Sequence, residues 1–233
     1  MGPEATRSTF SDHAGAESSF SDRVAQLLAR IDCRRADSSE QREVIFRLRY
    51  QAYMREGAIS PNSSGVFSDP YDETDNAYLF GLYIDGALAS SIRLHVASRE
   101  RPDFPSLEVS PDLLQPQLDA GEVLVDSTHL VADEGLSRLY RGLPYATLRL
   151  CVLAAEHFRV DHLLAPVRAE HQAFYRRAFN YQLIYQQRPY PHLAKPISVM
   201  TVHYPTAVDQ LYRRYPFFRS TVFERRKLFE RWR

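Results

Sequence analysis

Asp126 and His129 are the two residues of this sequence best suited to move a proton. They stand three positions apart in an apolar stretch, Val123 to Val131, that predicts a buried strand. A carboxyl group with a pKa of about 4 needs burial to act as a base, whereas an imidazole titrates near neutrality. Side chains three apart on a regular strand point to opposite faces, so both reach one site only if a β-bulge intervenes. The alternatives are a surface aspartate and a histidine satisfied within the core.

A second set of charges combines an arginine with two acids of a long loop. Arg49 lies on a predicted amphipathic helix, and Asp72 and Asp75 belong to the irregular segment 60–77. Loops longer than about 12–15 residues tend to be functional or disordered. An arginine fork can hold a carboxylate through two hydrogen bonds and thereby order such a loop. A solvated network of surface ion pairs is the alternative.

Several arginines are candidates for a basic rim around a site. They are Arg138, Arg141, Arg149, Arg168, Arg176 and Arg177. Such a rim would suit an acidic protein surface that presents a single phosphate group, because opposite charges steer the encounter. Scattered and solvated surface arginines are the alternative.

A regular series of elements must position these residues. The patterns predict helices over 40–57, 113–118, 140–158 and 170–179, strands within 78–97 and over 123–131, 161–167, 181–187 and 197–204, and a hairpin turn at Asp85-Gly86. The strand, helix, strand order after residue 123 implies a parallel pair with a right-handed crossover. We therefore expect an α/β fold with a mixed sheet and helices on both faces.

The composition predicts one globular domain. The chain has 233 residues, of which 44% are hydrophobic and 25% charged, and its formal net charge of zero argues against a nucleic-acid partner. We expect a disordered tail over 1–22, a single domain over 23–205 and a basic, aromatic helical segment over 206–233. Cys33 and Cys151 are too few and too isolated for a disulfide framework, and the sequence predicts no metal site.

No apolar run approaches the roughly 20 residues of a membrane span, and the N-terminus lacks the order of a secretory signal. We therefore expect a cytoplasmic protein. The C-terminal segment could touch the inner membrane face as a peripheral contact, dock on a partner, or pack back on the domain.

Seven segments follow one another in an informative order. They are Arg47 to Gly57, Asp72-Glu73-Thr74-Asp75, Tyr78-Leu79, Asp85-Gly86, Ile92-Arg93-Leu94, Asp126 to Val131, and His171 to Phe179. Together, over about residues 40–205, they resemble the N-acyl amino acid synthases and the related autoinducer (acyl-homoserine-lactone) synthases of the acetyltransferase-like (GNAT) superfamily. The resemblance implies a mostly antiparallel central sheet flanked by helices, with a fourth and a fifth strand, here 123–131 and 161–167, that splay apart.

The resemblance also implies a reaction: an acyltransferase moves a long acyl chain from acyl carrier protein, as a phosphopantetheine thioester, to the amine of an amino acid. No tightly bound cofactor is needed. The implied residues are Asp126 and His129 for catalysis, Arg49, Tyr53, Asp72, Asp75, Arg93, Ser127 and Thr128 for the amine substrate, and Arg138, Arg141, Arg168, Tyr175, Arg176 and Arg177 for the donor or its carrier. Backbone amides of the fourth strand would face the thioester.

Two departures from related enzymes shape the alternatives. Homoserine-lactone synthases carry glutamate and arginine where this chain has Asp126 and His129, which disfavours lactone synthesis. Ordinary acetyltransferases cradle the coenzyme A pyrophosphate on a glycine-containing loop before the third helix. The equivalent stretch 137–144 has one glycine, Gly142, which favours a carrier protein over coenzyme A. The remaining alternatives are an acyl-CoA-dependent N-acyltransferase and a non-catalytic module that binds an acyl carrier.

Overall fold

The computed structural model describes residues 18–230, and this range contains nine α-helices and seven β-strands. The helices are α1 (Phe20–Arg30), α2 (Ser39–Arg55), α3 (Pro105–Val109), α4 (Pro111–Asp119), α5 (Glu134–Leu139), α6 (Leu143–Phe158), α7 (Ala169–Phe179), α8 (Tyr204–Arg214) and α9 (Val222–Phe229). The strands are β1 (Ile31–Arg35), β2 (Ala77–Ile84), β3 (Ala87–Ala97), β4 (Leu124–Ala132), β5 (His162–Val167), β6 (Gln182–Arg188) and β7 (Ile197–His203). Short 3-10 turns lie at Pro70–Glu73 and Pro216–Phe218.

All seven strands form one sheet in the order β1-β2-β3-β4-β5-β7-β6. The β4–β5 pair is parallel, and the other neighbours are antiparallel. Alternate residues of β4 face different layers: Val125 packs in the larger core with α6, and Leu124 packs with α3 and α4. The predicted α/β fold, its mixed and mostly antiparallel sheet and its parallel central pair are therefore confirmed.

The hairpin between β2 and β3 turns at the predicted dipeptide. Asp85 has φ 50° and Gly86 has φ 84°, and a type I′ turn requires positive φ at both central positions. Ile84 pairs directly with Ala87 across this turn. The dipeptide therefore fixes the register that brings β3 and its Arg93 beside β4.

The structure begins with two elements that the patterns did not predict, α1 and β1. Ser19 caps α1 through a reciprocal hydrogen-bond pair with Asp22, and Val24 and Leu27 are buried. The helix begins at Phe20, so the last three positions of the predicted tail are helical or packed. Ser18 and Ser19 are described as well, and residues 1–17 of that tail lie outside the described range.

The C-terminal segment is largely helical, with α8 and α9 on either side of Pro216, and it packs back on the domain. Phe218 and Phe229 are buried in the larger core. Arg149 of α6 donates to the carbonyl of Phe217 at 2.7 Å and forms an ion pair with Glu224. Arg149 therefore fastens this segment to α6 and does not belong to a basic rim. Within residues 18–230, no helix is long and apolar enough to cross a membrane.

Candidate active site

The parallel strands β4 and β5 form a fork. Their pairing covers Leu124 with His162, Val125 with Leu163 and Asp126 with Leu164, although both strands continue beyond these residues. Ser127 closes the apex, because its hydroxyl donates to the carbonyl of Leu164 at 2.8 Å. Beyond the apex β4 has no strand partner on this side, so its peptide groups face an opening. The predicted splay of the two strands is confirmed.

A cleft of about 400 Å³ occupies this opening, within the usual size range of small-molecule sites. Strand β4 lines it with residues 127–132, and β5 lines it with Pro166 and Val167. Helix α2 contributes Tyr53, and α7 contributes Phe174 and Tyr175. The cleft therefore reaches both faces of the sheet through the fork.

His129 enters the cleft because β4 bulges there. Arg93 pairs with Thr128 and Ser91 with Val131, so Ile92 alone opposes two residues of β4. His129 itself has φ 52°, in the left-handed region that non-glycine residues rarely occupy. The bulge directs its imidazole toward α2, where it meets Tyr53.

His129 connects a cleft-lining phenol to a buried carboxylate. The Tyr53 hydroxyl lies 2.7 Å from His129 Nδ1, and His129 Nε2 lies 2.9 Å from Asp69 Oδ2. Because Asp69 is ionised and can only accept, Nε2 must carry the proton and Nδ1 must accept from the Tyr53 hydroxyl. In this tautomer the Tyr53 hydroxyl donates to His129, and His129 donates to Asp69. A proton can therefore pass from the cleft through Tyr53 to His129, as in a nucleophile–histidine–carboxylate array.

The buried charges around this chain balance. Arg93 grips Asp69 as a two-nitrogen fork, with Nη1–Oδ1 and Nη2–Oδ2 distances of 2.5 and 3.1 Å, and its Nε donates to Thr128 at 3.0 Å. Arg49 reaches both oxygens of Asp72 through Nη1 alone, at 2.9 Å. The predicted contact between Arg49 and a carboxylate is thus present. The contact through two guanidinium nitrogens, however, is between Arg93 and Asp69.

This environment keeps His129 neutral. Burial, together with the positive charges of Arg93 and Arg49, lowers the pKa of His129 to about 3. Burial alone would raise the pKa of Asp69, but hydrogen bonds from His129 and Arg93 outweigh it and hold that pKa well below its ordinary value. Two arginines and two aspartates already cancel, so a charged imidazole at rest would give this buried group a net positive charge. The lone pair on Nδ1 is therefore available at neutral pH.

Asp126 has different surroundings. It pairs with β5 before the fork opens, and its carboxylate accepts from the Ser106 amide at 3.1 Å and the Ser106 hydroxyl at 3.0 Å. Burial raises its pKa to about 6, although the Ser106 hydrogen bonds oppose the change. Asp126 lies outside the lining of the cleft, so the structure does not bring the two predicted catalytic residues together there.

Asp75 does not join the predicted substrate site. It is exposed and lies beside Arg42 and Arg101 in a surface depression. The acid that reaches the site is Asp69, which caps the 3-10 turn by accepting from the Tyr71 amide at 2.9 Å, with Pro70 in the first position of the turn. An aspartate directly before a proline is a signature of such a cap, and it could have identified Asp69 from the sequence.

The predicted donor-side residues divide into two groups. Arg168 and Tyr175 line the cleft, and Arg168 forms an ion pair with Glu56 at 2.8 Å. The other four, which are Arg138, Arg141, Arg176 and Arg177, are exposed and lie outside its lining. Ser137 does line the cleft, so Arg138 borders its mouth.

The loop between β6 and β7 closes the cleft from a side that the sequence did not indicate. Tyr190, Leu193 and Lys195 belong to its lining. The Ala194 amide donates to the Ala58 carbonyl at 2.8 Å, and Lys195 Nζ donates to the Glu56 carbonyl at 2.5 Å. These contacts fasten the loop to the end of α2, and no local pattern in residues 189–196 predicts a contact so distant in the chain.

Helix α1 covers the start of α6, where acetyltransferases hold coenzyme A. A Cβ atom on Gly142 would lie 2.9 Å from Val24 Cγ2. The Leu143 amide donates to the Tyr140 carbonyl, and Pro144 has no amide hydrogen. Few free amides therefore remain at this helix start to receive a pyrophosphate.

Comparison with known proteins agrees with this geometry. The family model described as "N-acyl amino acid synthase FeeM" matches residues 44–203, which is more than half of the chain. The chain belongs to the FeeM family of N-acyl amino acid synthases. It is accordingly an acyltransferase. No curated protein matches the sequence significantly.

Solved structures related to this FeeM-family chain share its fold at low sequence identity. The FeeM structure itself, from uncultured soil microbes, is 18% identical, with a TM-score of 0.65 over 78% of this chain and 94% of that one. The CoA-dependent acyl-homoserine lactone synthase BjaI is 13% identical, with a TM-score of 0.52 over 76% of this chain and 83% of that one. The Escherichia coli ribosomal-protein-S18-alanine N-acetyltransferase is 14% identical, with a TM-score of 0.50 over 74% and 93%.

Among residues 18–230, no group of His, Cys, Asp or Glu side chains is arranged to hold a metal ion. The cleft of this FeeM-family chain is lined by residues 127–132 of β4, which include His129, and by apolar side chains such as Val167, Phe174 and Ile197.

Proposed function

We propose that the protein transfers a long acyl chain from acyl carrier protein to the amine of an amino acid. The observation that carries this proposal is the cleft in the β4–β5 fork, which has the Tyr53–His129–Asp69 chain on one side and apolar walls on the other. An amide-forming acyl transfer needs both features, a proton acceptor for the amine and a site for an apolar chain.

The proton path follows from the hydrogen bonds. The amine nitrogen attacks the thioester carbon, and its proton passes to the Tyr53 oxygen while the Tyr53 proton passes to His129 Nδ1. Asp69 then stabilises the imidazolium through the Nε2 proton. When the carbon–sulfur bond breaks, the same chain returns the proton to the departing thiolate, so the products are an amide and a free thiol. Such a positioned base typically contributes about 10²–10⁴ in rate.

The thioester oxygen would lie against β4. Past Asp126 this strand has no neighbour on the β5 side, so its amides can donate to the oxyanion of the tetrahedral intermediate. The Ser127 hydroxyl is committed to the Leu164 carbonyl, so we assign Ser127 to holding the two strands together at the apex of the fork. Thr128 supports the site from behind, as an acceptor for Arg93.

We favour a carrier protein as the donor because coenzyme A lacks its usual place. Helix α1 covers the start of α6 through Val24, and Pro144 removes one of the amides there. Phosphopantetheine on a carrier needs no pyrophosphate site, and the carrier's acidic surface would meet the exposed Arg138, next to the cleft-lining Ser137, and the exposed Arg141.

Lactone synthesis is a weaker candidate for this site. A histidine can replace the arginine of lactone synthases only while it is protonated. The low pKa of His129, caused first by burial and then by the neighbouring arginines, keeps it neutral at physiological pH. A neutral imidazole cannot replace a permanently charged arginine, so this opposes a cation at position 129 and leaves Nδ1 as an acceptor.

The direct test incubates purified protein with a long-chain acyl carrier protein or the matching acyl-CoA, together with a mixture of the common amino acids. Mass spectrometry identifies the acylated products. We expect N-acyl amino acids from the acyl carrier protein, at a higher rate than from acyl-CoA. Transfer of only short acyl groups from coenzyme A would contradict the proposal and favour an ordinary acetyltransferase.

The donor assignment has its own test. Arg138→Glu combined with Arg141→Glu should raise the KM for acyl carrier protein roughly 10-fold and leave kcat/KM for a free acyl-pantetheine unchanged. Arg34→Glu on β1, three strands from the fork, is the matched control. An equal loss with both donors would show that these arginines do not recognise a carrier.

The C-terminal segment remains a candidate for peripheral membrane contact. Its helix α9 buries Leu228 and Phe229 but leaves Val222 and Phe223 exposed. We propose no more than a weak contact through these two side chains.

A further inference from the structure

The cleft has a small neighbour on the α6 side of the sheet. This second cavity, of about 30 Å³, lies between α6, α7 and α8, and its walls include Cys151, Phe179 and Ala207. Its lining is apolar except for tyrosine hydroxyls and one thiol. Among the residues that the structure describes, Tyr175 is the one that lines both spaces. The Tyr175 ring is thus a partition between them.

The partition is held firmly. Tyr175 is 7% exposed, and its ring centroid lies 5.4 Å from that of Tyr181, at an angle of 74°. Phe179, one turn further along α7, lies 6.3 Å away. These edge contacts fix the ring across the passage.

The lining of the cleft combines exposed polar side chains with buried apolar ones. Arg55, His171 and Lys195 are exposed, whereas Tyr175 and Ile197 are buried. A carrier-bound thioester that enters at the mouth would therefore direct the methyl end of its chain toward Tyr175. An apolar chain gains free energy with each methylene it buries until it meets a wall.

We propose that Tyr175 determines the longest acyl chain that the enzyme accepts. Its ring closes the cleft against the second cavity, and the methyl end of the chain stops at the ring. Removal of the ring would join the two spaces and admit longer chains. The inference rests on the proposed function, because it requires an acyl chain in the cleft.

The test compares Tyr175→Ala and Tyr175→Phe with the wild type on a series of acyl carrier proteins whose chains run from medium to very long. In Tyr175→Ala, the ratio of kcat/KM for the longest chain to that for the wild-type optimum should rise roughly 10-fold or more, because one methylene in an apolar pocket typically changes specificity by that amount. Tyr175→Phe keeps the ring and should keep the wild-type profile. An unchanged profile in a folded, active Tyr175→Ala protein would overturn the inference.

A second substitution tests whether the longer chain enters the second cavity. Ala207→Phe should fill the second cavity from α8. With Tyr175 present it should leave the chain-length profile unchanged, and in the Tyr175→Ala background it should restore the wild-type optimum. A shift caused by Ala207→Phe alone would mean that the chain already passes Tyr175, which also overturns the inference. If the wild type acylates no amino acid with any chain, the proposed function fails first.

Discussion

Asp126 and His129 lie on the same strand, three residues apart, yet they occupy contrasting environments. Asp126 precedes the fork and is held by Ser106, whereas His129 follows the fork at a bulge and contacts Tyr53 in the cleft. Burial shifts both pKa values, to about 6 and about 3. Burial alone therefore does not distinguish the two residues, whereas their position relative to the fork does.

The largest expected effect is on activity at His129. His129→Asn should lower kcat by about 10²–10⁴, because it removes the proton acceptor. Asparagine tolerates the left-handed backbone at this position, so the bulge should persist. Asp126→Asn should keep activity within about 10-fold of the wild type, since Asp126 does not line the cleft. Steady-state kinetics with acyl carrier protein compares the two, and an equal loss in both would break the contrast.

A smaller loss of activity is expected at Tyr53, the cleft end of the Tyr53–His129–Asp69 hydrogen-bond chain. Tyr53→Phe should lower kcat/KM roughly 10- to 100-fold, because it interrupts the proton path to His129 and a water molecule replaces the phenol only in part. The matched control is Tyr50→Phe on the same helix, whose hydroxyl contacts the Asn62 carbonyl and does not line the cleft. A wild-type rate in Tyr53→Phe would show that the amine reaches His129 without the phenol.

His129 and Asp126 should also change the pH dependence of the free energy of unfolding in opposite directions. The lowered pKa of His129 means that the unfolded chain binds a proton that the folded chain rejects between pH 6.5 and about 3. The contribution of neutral His129 to the free energy of unfolding is thus fully present above pH 6.5 and is lost as the pH falls. Urea midpoints at pH 7.5 and pH 5 should show that His129→Asn removes part of this acid sensitivity, on the order of 1–2 kcal/mol. His95, with a pKa also lowered to about 3 by burial, remains in both proteins and cancels.

The smallest effect concerns Asp126, whose pKa is displaced less. Because its folded pKa is raised to about 6, its contribution to stability is present at acid pH and is lost as pH rises through 6. Relative to the wild type, Asp126→Asn should therefore gain stability between pH 5 and pH 7.5. The same urea series measures it, and a difference of the same sign as for His129→Asn would contradict the assigned pKa directions.

The sequence predicted the scaffold better than the site. Apolar periodicity and the Asp85-Gly86 turn located most strands, and the family resemblance supplied the splayed pair. Helix α1 was missed because it follows a segment poor in large apolar residues. Asp69 was not identified because it belongs to the same loop as Asp72 and Asp75, and the 3-10 turn that places its carboxylate beside His129 depends on tertiary contacts. The bulge at His129 likewise depends on the register between β3 and β4, which residue types do not specify.

The most direct test of the central claim extracts bacterial cultures that express the wild type, His129→Asn or Asp126→Asn at equal soluble levels, and analyses the extracts by mass spectrometry. We predict a long-chain N-acyl amino acid in the wild-type and Asp126→Asn cultures and its loss with His129→Asn. A product that persists in His129→Asn but disappears in Asp126→Asn would contradict this claim and would identify Asp126 as the catalytic base.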